Sequence, residues 1–259
     1  MPEPLAPALV SALVSALDQP GLWWLALTIF VAGVVRGFTG FGTALIYLPV
    51  AGIFLPPAAA ILSLVVLGLG SAIVLIPKAW PQAERGDVAV LTLGAVAAMP
   101  LGVALLVLLD DATVRWTIAA VAAVTLALLL SGRRYRGRIG RAGQAAVGAM
   151  SGLVGGATGL TGPVTILFYL GSADRRAATV RANTILFLAL MDVALIANIL
   201  LAGLGGAQPI WLGLVLMPAY MCGAQAGQML FRPGRERVYR AVACAVIALA
   251  IATGLPVFD

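Results

Sequence analysis

Two charged residues, Arg36 and Asp192, stand inside sequence that is otherwise apolar. Such groups are expensive at membrane depth and persist where they serve a purpose. Arg36 is a fixed cation within the glycine-studded run Gly33 to Thr43, whose backbone amides could turn toward an anion as helix N-termini do. The structural alternative is an arginine that snorkels to an interface or neutralises Asp192. Asp192 falls near the middle of an expected span from Thr179 to Leu201. A lone carboxylate there is paired, protonated, or both in turn as a proton carrier. Asn183 and Asn198 share that helix and read first as helix–helix hydrogen-bonding groups, and Gln225 and Gln228 are weaker polar candidates in a later span.

A second glycine-studded run, Gly148 to Gly162, repeats the first at nearly half the chain length. Gly33, Gly37 and Gly40 map onto Gly148, Gly152 and Gly155 at one constant shift, which places Arg36 opposite Ser151. Each run continues into an apolar stretch, Ala44 to Val50 and Pro163 to Leu170. Glycines in this pattern break helices and let backbones approach closely, and a duplicated break inside hydrophobic sequence points to a transporter's binding site. Thr39, Thr43, Ser151, Thr158 and Thr161 add hydroxyls to the breaks. They can satisfy backbone groups freed there, bind an oxyanion with the glycine amides, or do both.

The elements that must position these groups are membrane spans. Hydrophobic residues make up 62% of the chain, and mean hydropathy is +1.06, far above a soluble domain. Apolar runs of spanning length recur, including Ala58 to Ile76, Val88 to Leu109 and Trp116 to Leu130. Leu5 to Leu17 is too short to span and reads as a surface-lying helix ended by Asp18 and Pro20, while Pro2, Glu3 and Pro4 lack the positive start of a signal peptide.

The net charge of +6 comes almost entirely from arginine in short loops, with no basic arm for nucleic acid. Lys78 and Arg85, Arg133 to Arg141, Arg175 to Arg181 and Arg232 to Arg240 define the cytoplasmic side. The neutral or acidic gaps Gly52 to Pro57, Asp110-Asp111 and Gly205 to Gln208 define the outside. This division holds only if the glycine-rich segments enter and return rather than cross, with arms of about 14 to 17 residues, short for full spans.

The fold expected is an all-α integral membrane protein built as an inverted repeat, each half one broken, re-entrant helical hairpin plus three transmembrane helices. Repeat 1 covers about residues 22–131 and repeat 2 about 143–257, joined by an arginine-rich linker at 132–142 within one transporter domain.

Several chemistries are excluded. Histidine is absent, so neither a Ser-His dyad at Ser151 nor a histidine-containing zinc site can form. No phosphate-binding loop occurs. Cys222 and Cys244 read as small buried hydrophobes. The chain is not expected to be an enzyme or to carry a cofactor or metal.

The paired Gly-x-x-x-Gly-x-x-Gly motifs, the hairpin-plus-three-spans repeat and the chain size together resemble the sulfite exporter TauE/SafE family, from about Leu22 to Leu255. The resemblance implies transport of a small sulfur-containing anion such as sulfite, sulfoacetate or another organosulfonate, powered by an ion gradient, across a bacterial inner membrane. Two departures bear on the substrate: Arg36 where the family carries a small residue, and the extra residues Ala157 to Leu160 in the second motif.

The expected site therefore comprises Arg36, Gly37, Thr39, Gly40, Gly42, Thr43, Ser151, Gly152, Gly155, Thr158, Thr161 and Asn183 around the anion, with Asp192 as the proton-coupling group. The expected partners are a small anion and the lipid bilayer, not nucleic acid, with a homo-oligomer left open. A passive anion or small-solute channel is the alternative within membrane transport, and a non-transporting membrane scaffold the alternative outside it.

Overall fold

The computed structural model describes residues 5–131, 139–171, 176–230 and 236–254, and among these every element is helical. Most of the arginine-rich linker, together with Arg175, Arg232 and Arg235, lies outside the described residues. The helices are α1 (Leu5–Leu17), α2 (Leu22–Thr39), α3 (Thr43–Ala51), α4 (Pro57–Ala79), α5 (Arg85–Leu108), α6 (Asp111–Ser131), α7 (Arg141–Thr158), α8 (Gly162–Gly171), α9 (Ala177–Leu201), α10 (Ala207–Leu230) and α11 (Glu236–Gly254). Six of them, α2, α4, α5, α6, α9 and α10, are long and apolar enough to cross a bilayer.

Their outer faces carry the side chains that lipid requires. Leu93, Leu101, Leu108 and Leu201 are exposed along the helices. Trp23, Trp24 and Trp116 stand exposed near one end of the bundle and Trp80 near the other, as interfacial aromatics do. Arg85 lies over the Trp80 ring at 5.3 Å. Cys244 is buried as expected, whereas Cys222 lies on an exposed face of α10. The start of α6 is capped by Asp110, whose carboxylate accepts the Thr113 amide at 2.9 Å and its hydroxyl at 2.7 Å. These bonds hold the Asp110 carboxyl below the usual carboxylate range.

Both glycine-rich runs break into helical hairpins. After α2 the chain turns through Gly40 at φ 86° and Gly42 at φ 101°, and after α7 through Gly159 at φ 74°. These left-handed values strain any residue with a Cβ, so glycine fixes where each helix stops. The arms are unequal. The first arms, α2 and α7, have 18 residues each, and the returning arms, α3 and α8, have 9 and 10. The first hairpin departs from the expectation of nearly equal arms because its returning helix stops at Gly52.

Three hydrogen bonds recur at the two turns. Thr39 Oγ1 donates to Val35 O at 2.7 Å and accepts the Phe41 amide at 3.2 Å; Thr158 Oγ1 donates to Val154 O at 2.7 Å and accepts the Leu160 amide at 3.2 Å. The Gly40 amide bonds Arg36 O, and the Gly159 amide bonds Gly155 O, each at 2.7 Å. Gly40 therefore corresponds to Gly159, one helical turn beyond the Gly155 that sequence spacing selects. Arg36 corresponds to Gly155, not to Ser151. The slip escapes sequence inspection because glycines recur every three or four residues along α7, so either register sets glycine on glycine.

The remaining glycines of these arms serve packing. A Cβ on Gly33 or Gly37 would strike the backbone of α10 near Tyr220 and Ala224. A Cβ on Gly152 or Gly156 would strike the backbone of α5 at Ala95 and Met99. Each first arm thus packs closely on a long helix from the other half of the chain. The other pairings exchange in the same way: α4 packs on α10 as α9 packs on α5, α3 on α11 as α8 on α6, and α4 on α9.

Contacts between loops identify the two ends of the bundle. Gln19 Nε2 donates to Phe54 O at 3.2 Å, and Gln208 Nε2 donates to Gln19 Oε1 at 2.8 Å. The start of α2, the chain after α3 and the start of α10 therefore share one end, so the first hairpin returns to where it entered. Asn183 accepts the Glu84 amide at 2.7 Å and donates to the Glu84 carboxylate at 3.1 Å, which brings the starts of α5 and α9 together at the other end of α4. The first turn lies against Arg181 near the start of α9, and the second turn lies against Ile61 near the start of α4. Arg181 is accordingly not a loop charge: its guanidinium donates to Gly37 O and its stem covers Gly40.

Candidate functional site

The two hairpin turns meet around a cavity of about 30 Å³, roughly twice what one water needs. Phe41, Gly42, Thr43 and Ala44 line it from the first turn, and Gly159, Thr161, Gly162 and Pro163 from the second. Arg36 enters from α2, Asp192 from α9, Tyr220 from α10 and Gly68 from α4. Leu45, Leu64 and Leu188 make the apolar part of the wall.

Arg36 is only 4% exposed, and its Nε and Nη2 are buried without a hydrogen-bond partner. Among the described residues it makes no ion pair. A buried guanidinium with unused donors is costly unless something supplies acceptors. Helix ends add to this positive character. The first amides of α3 and α8 have no partner within their own helices, and both helices begin at the cavity wall. Pro163 removes one such amide from α8, so α3 is the richer donor.

Tyr220 closes the site from α10. Its hydroxyl pairs with Thr43 Oγ1 at 2.6 Å, and its ring lies beside Gly33, one turn before Arg36. Arg36, Tyr220 and Asp192 thus stand on the wall of one cavity. Asp192 rests over Gly68: a Cβ on that glycine would run into the carboxylate, whose carbon would be 2.9 Å away.

Of the expected site residues, Arg36, Gly42, Thr43, Thr161 and Asp192 come together at the cavity. The others do not line it. Gly37 and Gly152 serve helix crossings, and Thr39, Gly40 and Thr158 build the turns. Gly155 makes room for Thr161, and Ser151 donates to Thr161 O while accepting from Thr165 at 3.1 Å. Asn183 is spent on Glu84. Tyr220, Gly68 and Gly159 were missed. Tyr220 looked like one more apolar residue of its span, and Gly68 has no motif around it. Gly159 was legible only in the correct register.

A comparison with family models matches the one described as sulfite exporter TauE/SafE over residues 25–253. No curated protein and no solved structure matches the chain.

Proposed function

The chain belongs to the sulfite exporter TauE/SafE family, and from that premise we propose that it is a secondary transporter of a small sulfur-containing anion, coupled to protons, in a bacterial inner membrane. The observation that carries this reading is Arg36, a buried cation with unused donors that lines the cavity where both hairpin turns meet. An oxyanion there would accept from Nε and Nη2 and from the first amides of α3, leaving its apolar remainder against Leu64 and Leu188. Asp192, also on the cavity wall, is the group able to carry a proton with it.

The exchange of helix pairings between halves supports an inverted repeat, with hairpins entering from opposite sides and a site shared between them. Opposed tilting of the halves would then open the cavity to each side in turn. Protein in liposomes should take up radiolabelled sulfite with saturation, faster under an imposed proton gradient. Linear, gradient-independent flux would instead mark a passive channel.

Arginine-rich loops should face the cytoplasm, with residue 110 outside and residue 137 inside. In a cysteine-free background, Asp110→Cys should react with an impermeant maleimide added to whole cells, and Gly137→Cys only after lysis. Reaction of both in whole cells would rule out α6 as a span between them.

A further inference from the structure

We infer that Asp192 is a built-in competitor of the transported anion for Arg36, and that Gly68 is the positioning residue that lets it withdraw. The inference rests on the anion-binding reading above. Arg36 and Asp192 line the same small cavity yet form no ion pair, although nothing else neutralises the guanidinium among the described residues. The carboxylate lies instead in the gap left by the absent side chain of Gly68, at the crossing of α4 and α9.

A cavity roughly two waters in size cannot hold a free anion and an approaching carboxylate together. An ionised Asp192 also repels any anion held on Arg36. The bound anion and the Asp192 charge therefore exclude one another, and the anion binds best when Asp192 holds a proton. One negative charge and one proton then load together, which is the stoichiometric link a symporter needs.

The other titratable or charged groups bearing on Asp192 are few. Arg36 on α2 and Tyr220 on α10 act on it, with Tyr220 tied to Thr43. The cavity wall contributed by α3, α4 and α8 offers hydroxyls, glycines and apolar side chains. Arg85 and Asp87 of α5 are at its first turn, by the end of the bundle where Glu84 meets Asn183.

Methanesulfonate is the suitable probe, because its own charge does not change with pH. Its affinity for the purified full-length protein should rise as pH falls. Asp192→Asn should bind at every pH as the wild type does in acid, at least about fivefold tighter than wild type under alkaline conditions. Gly68→Ala should do the opposite. Its methyl group displaces only the end of a flexible side chain, so the helix crossing survives and the carboxylate moves into the cavity toward Arg36. Affinity should fall by about fivefold or more under alkaline conditions. The double variant Gly68→Ala/Asp192→Asn should recover it, a rescue that a packing defect at Gly68 would not show.

Equal affinity and equal pH dependence in wild type and Asp192→Asn would overturn the inference while leaving the anion site intact. So would a loss in Gly68→Ala that the second substitution fails to reverse. If Asp192→Asn does not fold, a pH-independent wild type overturns the inference by itself. No binding by any form would overturn the anion reading and the inference with it.

Discussion

Replacing Arg36 with glutamine should leave the protein folded and cost it the anion. The guanidinium's Nε and Nη2 make no hydrogen bond to the protein, so removing them breaks no native hydrogen bond. The loss should fall on the ligand. A hydrogen bond to a charged group is worth about 1.5 to 3 kcal/mol, and more where water is excluded. Anion affinity should drop by about ten- to a hundredfold, since about 1.4 kcal/mol is a factor of ten. Arg36→Lys should restore only part of it, because lysine keeps the charge but lacks the planar fork. Isothermal titration with methanesulfonate, alongside a melting curve, separates the two outcomes. A folded Arg36→Gln protein with undiminished affinity would assign Arg36 to structure alone.

The second large effect concerns energy coupling. Asp192→Asn should abolish accumulation of anion driven by a pH gradient while sparing exchange of labelled for unlabelled anion across the liposome membrane. Asparagine keeps the shape that fits over Gly68 and removes only the titrating proton. Exchange needs binding and alternating access, whereas accumulation needs the proton as well. Loss of both activities in a folded protein would place Asp192 in the binding or moving parts. Retained accumulation would exclude it from coupling.

Both expectations concern the residues that sequence reading picked out first, and the reason is physical. A charge within apolar sequence is conspicuous because burial is so costly. The hairpins were legible for a related reason: loop arginines divide between two ends only if the glycine-rich segments return. What sequence could not supply was register. Glycines repeated at helical spacing leave a one-turn ambiguity along α7, and the matching hydrogen bonds of Thr39 with Thr158 and of Gly40 with Gly159 resolve it. The corrected register changes the chemistry. Arg36 answers to Gly155, so the polar groups of the site come unequally from the two halves.

Tyr220 and Gly68 were invisible for another reason. Their roles depend on which helix lies opposite, and neither an aromatic in an apolar span nor a lone glycine announces its neighbour. Conversely, Asn183, read first as a helix–helix hydrogen-bonding group, and Ser151, read as a site hydroxyl, are each committed to a bond that holds another element. Burial of a polar side chain marks a site only when its hydrogen bonds are left over. Arg36 meets that test and these two do not.

The central claim is that an anion sits on Arg36 between the two hairpin turns. Selenite resembles sulfite and scatters anomalously, so crystals grown with it would locate the anion directly. The account predicts one selenium peak inside the cavity, with oxygen atoms within hydrogen-bond distance of Arg36 Nε or Nη2 and close to the start of α3. A peak at another polar cluster, with Arg36 still unoccupied, would contradict it.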